Sequence, residues 1–249
     1  MKRIAFCIFV FLFLFPQSSE ACDPPVYLKI HELAQYHLDS LNQNPTDGNL
    51  FDRIVLMHNL AFHKNCRLRE QAEKLIKNNF KGDERTPLVV AYDGSLRMIK
   101  VSQQNLASNI FRSIFSKSPY DEARESFKII CQALANEPDN NIIRLLRATA
   151  AVESAEHFPE VLLHAKEDIK WLEENIDYDD STLVFYTYLT RAKFYYKYAL
   201  IIDSSSVRSA IIDNAMESLS QAGKYICDEV YRREYDFWED KISSFQDEL

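Results

Sequence analysis

Along most of this chain apolar residues recur every three or four positions and almost nowhere alternate, the spacing that lays one stripe along one face of an α-helix. Ala123, Phe127, Ile130 and Leu134 are spaced four, three and four apart; Ala165, Ile169, Leu172 and Ile176 repeat the pattern, as do Tyr231, Tyr235, Trp238 and Ile242. The punctuation agrees. Thr86-Pro87 and Ser118-Pro119 place a hydroxyl at the N-cap and a proline at the first helical position, where its missing N–H costs nothing. Pro159 is a similar start signal, and Gly82 after Lys81 stands where a C′ residue would. These marks predict helices near 25–43, 49–63, 65–80, 87–103, 105–117, 119–136, 140–154, 159–176, 181–203, 206–225 and 227–245. The gaps are short, which makes consecutive helices antiparallel neighbours. No Pro/Gly/Ser-rich linker interrupts them. The expectation is a single all-α domain over 22–249, built of antiparallel hairpins stacked as an array.

The first segment follows another pattern. Lys2 and Arg3 precede twelve unbroken apolar residues, Ile4 to Phe15, and a short polar stretch ends in Ser19-x-Ala21. That is the layout of a secretory signal, too short for a retained span. Cleavage is expected after Ala21, leaving Cys22 first. A Cys in that place also suits a lipid anchor, but Ser19 stands where a lipobox carries Leu and Glu20 follows it, so simple cleavage is favoured over lipidation of Cys22. The C-terminal Gln246-Asp247-Glu248-Leu249 resembles an ER-retention tail and gives an ER-lumen alternative. Without the signal, four cysteines remain, Cys22, Cys66, Cys131 and Cys227, with three pairings open. Cys131 and Cys227 lie in helical patterns where a thiol packs as a small apolar group, so mostly free thiols are favoured.

Composition removes several function classes. The four glycines Gly48, Gly82, Gly94 and Gly223 are scattered, which excludes the clustered loops that cradle nucleotide phosphates. With 29 Lys+Arg against 37 Asp+Glu the net charge is −8, and no basic run offers a nucleic-acid footprint. No cofactor motif is present. His63 and Cys66 share a helix face, but His58, five residues before His63, falls off it, and no metal set results. The serines at 204–206 and 218–220 suit helix boundaries rather than a nucleophile elbow.

A weak repeat runs through the array. Ala133, then Pro138, then Asp139-Asn140 opening a new helix resemble the junction between two tetratricopeptide (TPR) units. Gly94 and Ala148 are small at the positions where the first helix of such a unit packs closely on its partner. Arg144 and Arg147 are neighbours on one helix face, and Asp168 lies on the following antiparallel helix, within reach of a structural ion pair; an anion site is the alternative. With Ala91-Tyr92-x-Gly94-Ser95, Pro138-x-Asn140, Arg144-x-x-Arg147 and Asp168, the segment Pro87–Glu174 resembles an uncharacterised bacterial family of exported TPR-like helical proteins. That resemblance implies a fold and a bacterial origin, and no catalytic role.

The most distinctive stretch is Phe185 to Tyr198, where Phe185, Tyr186, Tyr188, Phe194, Tyr195, Tyr196 and Tyr198 surround a helix on nearly every side. Core packing is the first reading, and a concave aromatic surface for a peptide or apolar ligand the second. The expected function is therefore non-catalytic: a scaffold for another protein or peptide in a bacterial envelope, periplasmic or secreted. The alternative is a helical small-ligand binder serving an uptake system.

Overall fold

The structure is a computed structural model and describes residues 38–43, 50–62, 66–102, 118–156, 158–226 and 229–249. Among them every regular element is helical and there is no strand. After a helical stretch at 38–43 come α1 (Leu50–Phe62), α2 (Cys66–Asn79), α3 (Pro87–Ser102), α4 (Pro119–Asn136), α5 (Asn141–Ser154), α6 (Leu162–Asn175), α7 (Ser181–Leu200), α8 (Ser205–Gly223) and α9 (Glu229–Asp247). Most of the helix predicted at 25–43, and all of that at 105–117, lie outside the described residues.

Capping residues set the starts. Ser118 Oγ accepts from Asp121 N at 3.2 Å ahead of α4, and Asp180 Oδ1 accepts from Leu183 N at 3.0 Å ahead of α7. Asn140 does more: its Oδ1 accepts from both Ile142 N and Ile143 N at 3.1 Å, satisfying two of the orphan donors of α5. Among the boundaries that differ from the sequence reading, three have a cause in the local backbone or side-chain bonding. Pro159 opens a 3-10 turn, Pro159–Val161, before α6, because Val161 N bonds the Phe158 carbonyl three residues back. Helix α2 ends at Asn79, so Gly82 lies beyond the C′ position; its φ of +57° instead opens the 3-10 turn Gly82–Glu84. Helix α7 stops at Leu200, where the Arg208 guanidinium takes the Ile202 carbonyl at 3.1 and 2.5 Å and fixes the turn into α8.

Packing has a clear order. Each odd helix pairs with the even one that follows it (α1 with α2, α3 with α4, α5 with α6, α7 with α8), and each even helix also meets the next odd one. The odd helices touch one another in sequence, α1 to α3, α3 to α5, α5 to α7 and α7 to α9, forming a continuous row. The core follows this row as linked clusters. Leu146 of α5 packs against both the α1–α3 cluster and the α3–α6 cluster, and Tyr195 of α7 joins the latter to the α7–α9 cluster. The three stripes that predicted helices face inward: Ile130, Leu172 and Ile242 are fully buried. At Gly94 α3 and α4 approach closely. A Cβ there would lie 2.8 Å from Ile130 Cγ1 and 3.0 Å from the Ser126 carbonyl oxygen, so only a residue without one permits this approach. Ala148, on α5, is likewise fully buried.

Candidate functional site

The odd row lines a cavity of about 280 Å³. Val55 and His58 come from α1, Tyr92 and Ser95 from α3, Ile142, Leu145, Leu146 and Thr149 from α5, Thr182, Leu183, Tyr186, Thr190 and Lys193 from α7, and Glu234 from α9, with the capping Asp180 at the rim. Among the described residues no even helix contributes. Ile142, Asp180 and Thr182 are exposed and mark the open side, whereas His58, Ser95, Thr190, Lys193 and Glu234 are buried.

Three polar pairs interrupt the otherwise apolar wall. His58 Nε2 and Ser95 Oγ lie 2.7 Å apart, with the Tyr92 ring edge-on to the imidazole at 5.0 Å. The Thr149 and Thr190 hydroxyls meet at 3.2 Å. Lys193 Nζ donates to Glu234 Oε1 at 3.2 Å, lies 3.7 Å from Glu153, and sits 4.8 Å above the Trp238 ring. The cavity thus holds a histidine, a serine and two carboxylates. Asp180 is committed to capping α7 and Glu234 to Lys193, and Ser95 lies mid-helix, where the surrounding backbone N–H groups are already used in the helix. Among the described residues no group of three His, Cys, Asp or Glu converges as metal ligands would.

Burial pushes the Tyr92 hydroxyl up to about 12 from its ordinary 10. The sign follows from linkage: above pH 10 the unfolded chain surrenders this proton while the folded chain keeps it, so stability falls as pH rises toward 12. Tyr92→Phe should shallow that decline in denaturation midpoints measured across pH 9–12; an unchanged slope would put its origin elsewhere.

A second network joins the residues of the Arg-x-x-Arg motif. Arg147 donates to Asp168 through Nε at 2.7 Å and Nη2 at 2.8 Å, and Arg144 Nη1 adds a third bond at 3.0 Å. Arg144 Nε also holds the Pro138 carbonyl at 2.8 Å, and its guanidinium lies 4.2 Å over the Trp171 ring. Asp168 is fully buried. The arrangement ties α5 to α6 and to the loop before α5. It leaves the carboxylate no open side for a ligand.

The aromatic segment divides. Phe185, Phe194 and Tyr196 are buried, Tyr186, Tyr188 and Tyr195 half-buried, and Tyr198 is 39% exposed; of these only Tyr186 lines the cavity. Cys131 is a free, half-buried thiol whose pKa burial raises. Ala21, Cys22 and Cys227 lie outside the described residues, and Cys66 begins α2. Gln246 and Asp247 belong to the last turn of α9, with Gln246 Nε2 on Asp213 Oδ1 at 2.9 Å. A second concavity, of about 660 Å³, lies among α2, α3 and α4; its Arg85 and Arg97 share the Asp93 carboxylate and its Lys100 faces Glu122.

Sequence reasoning weighs His58 only as a metal ligand and meets Ser95 only within a motif, and it gives no site role to Lys193 or Glu234. A signal for these last two exists. Glu234 lies three residues after Tyr231 and four before Trp238, on the apolar stripe of α9, and Lys193 sits within a helix that is apolar all round. Charges in such places need partners. Comparison with family models, curated proteins and solved structures returned no match to this chain.

Proposed function

We propose that this chain is a non-catalytic binding protein that holds a small amphipathic ligand in the odd-row cavity. One observation carries the reading: five helices far apart in sequence converge on one cavity, open on one side, whose wall is mostly apolar with a few placed polar pairs. Its volume is near the lower end of the roughly 300–1,000 Å³ of ligand pockets, and a cavity of roughly 150 Å³ already admits benzene. The signal pattern of residues 1–21, which lie outside the described residues, supports export and a ligand met in a periplasmic or extracellular setting. No helix among the described residues is long and apolar enough to cross a membrane. The TPR-like resemblance belongs to the same proposal, supported by the odd-row packing.

Saturation-transfer NMR with indole as probe tests the site. Transfer from the wild-type chain is expected, with loss in Ile142→Trp, whose ring would fill the open side at a position that is 41% exposed. Absence of transfer from the wild-type chain overturns the reading. A second reading, a scaffold for a partner protein, draws on the turn between α7 and α8. There Leu200, Ile201 and Val207 are 39%, 46% and 47% exposed, side chains that a protein contact would cover.

A further inference from the structure

The charges inside the cavity narrow the ligand. Asp180 stands at the rim and is committed to its cap, so the charged groups deep in the wall are Lys193 and Glu234, 5% and 6% exposed. Each is incompletely satisfied. Lys193 Nζ has three N–H donors and makes one hydrogen bond, with Glu153 a further 0.5 Å out at 3.7 Å against 3.2 Å. Among the described residues Glu234 has Lys193 as its one polar partner, through Oε1, which leaves Oε2 unbonded. Removing two opposite charges from water is offset only when their remaining donors and acceptors also find partners. This pair leaves donors and an acceptor over, and it lines the cavity.

We propose that the cavity binds a free α-amino acid with an apolar side chain, its carboxylate on Lys193 and its ammonium on Glu234. The inference rests on the reading of the cavity as a ligand site. A molecule carrying only a carboxylate would meet Lys193 but also Glu234 and Glu153, and one carrying only an ammonium would meet Glu234 but also Lys193. Either adds net charge to a wall that already holds a paired cation and anion. A zwitterion adds none, and an α-amino acid bears its two charges on one carbon, matched to an ion pair whose members lie side by side. Beyond that pair the wall also carries the His58–Ser95 and Thr149–Thr190 pairs, and its apolar part, Leu145, Leu146 and Leu183 with the Tyr92 and Tyr186 rings, receives the side chain. The volume suits one residue rather than a peptide.

Isothermal titration of the full chain with L-phenylalanine, 3-phenylpropionate, phenethylamine and benzyl alcohol separates the outcomes. Phenylalanine is expected to bind about tenfold or more tightly than either singly charged analogue, the scale of one charge-assisted hydrogen bond. Equal affinity for benzyl alcohol or a singly charged analogue overturns the zwitterion while the ligand cavity stands; no heat with any of the four, together with no indole transfer, removes both. Glu234→Gln keeps the side chain's shape and should cost phenylalanine about tenfold while leaving 3-phenylpropionate unweakened. Unchanged phenylalanine affinity in that variant overturns the ammonium assignment, and if the variant does not fold the wild-type series still decides.

Discussion

Asp168→Ala should destabilise the fold by about 3–5 kcal/mol, the scale of breaking a buried ion pair by removing one partner. The loss is large because two cations depend on one anion. Arg144 and Arg147 side chains are only 14% and 12% exposed, so without the carboxylate neither guanidinium can turn fully to water. Three charge-assisted hydrogen bonds disappear together, and the clamp between α5 and α6 with them. Urea denaturation of both chains measures the difference. Glu160→Ala is the matched control: its pair with Arg124 is exposed on both sides, 59% and 62%, and should change stability by less than about 1 kcal/mol. Similar losses in the two variants would show that the Asp168 network is worth no more than a surface contact.

Phe185→Ala should cost a comparable ~3–5 kcal/mol, through a cavity rather than a charge. Phe185 is fully buried, stacks on Tyr231 of α9 at 4.9 Å and meets Tyr186 edge-on at 5.1 Å. Truncation removes a ring from the contact between α7 and α9, and the fully buried Leu189 and Ile212 of the same cluster are too tightly packed to fill the space. Tyr198→Ala, thirteen residues along the same helix, removes a ring that stacks on Phe194 at 6.0 Å with one side in water, and should shift stability far less. The contrast tests the division of the aromatic segment: equal losses would mean that the buried and exposed rings carry the same load.

That division marks the limit of what the sequence discloses. Helix positions are legible because they are written locally: Ser118-Pro119 and Asn140 fix starts within a turn, and the stripes on α4, α6 and α9 are read within a single helix. The Arg144, Arg147 and Asp168 cluster is nearly as legible, since one antiparallel hairpin brings its members together. The aromatic segment is not, because a helix apolar on every side names no preferred face; only the packing of α5, α6, α8 and α9 around α7 decides which rings are covered. The cavity is least legible of all. It is a space rather than a motif, bounded by residues such as His58, Ser95, Thr190 and Glu234 that come together only through the row of odd helices. The boundaries that shifted, at Pro159 and Leu200, did so where carbonyl groups found partners in a 3-10 turn or an arginine side chain, choices that periodicity does not record.

The placement of the two tryptophans gives the molecule two internal optical gauges. Trp171 lies beneath the Arg144 guanidinium, and the ammonium groups of Lys193 and Lys241 lie 4.8 and 4.9 Å from the Trp238 ring. Each indole therefore senses one polar assembly, the inter-helix clamp in one case and the charged wall of the chamber in the other. Their emission, separated by replacing one ring at a time, distinguishes loosening of the scaffold from occupancy of its interior without any attached dye.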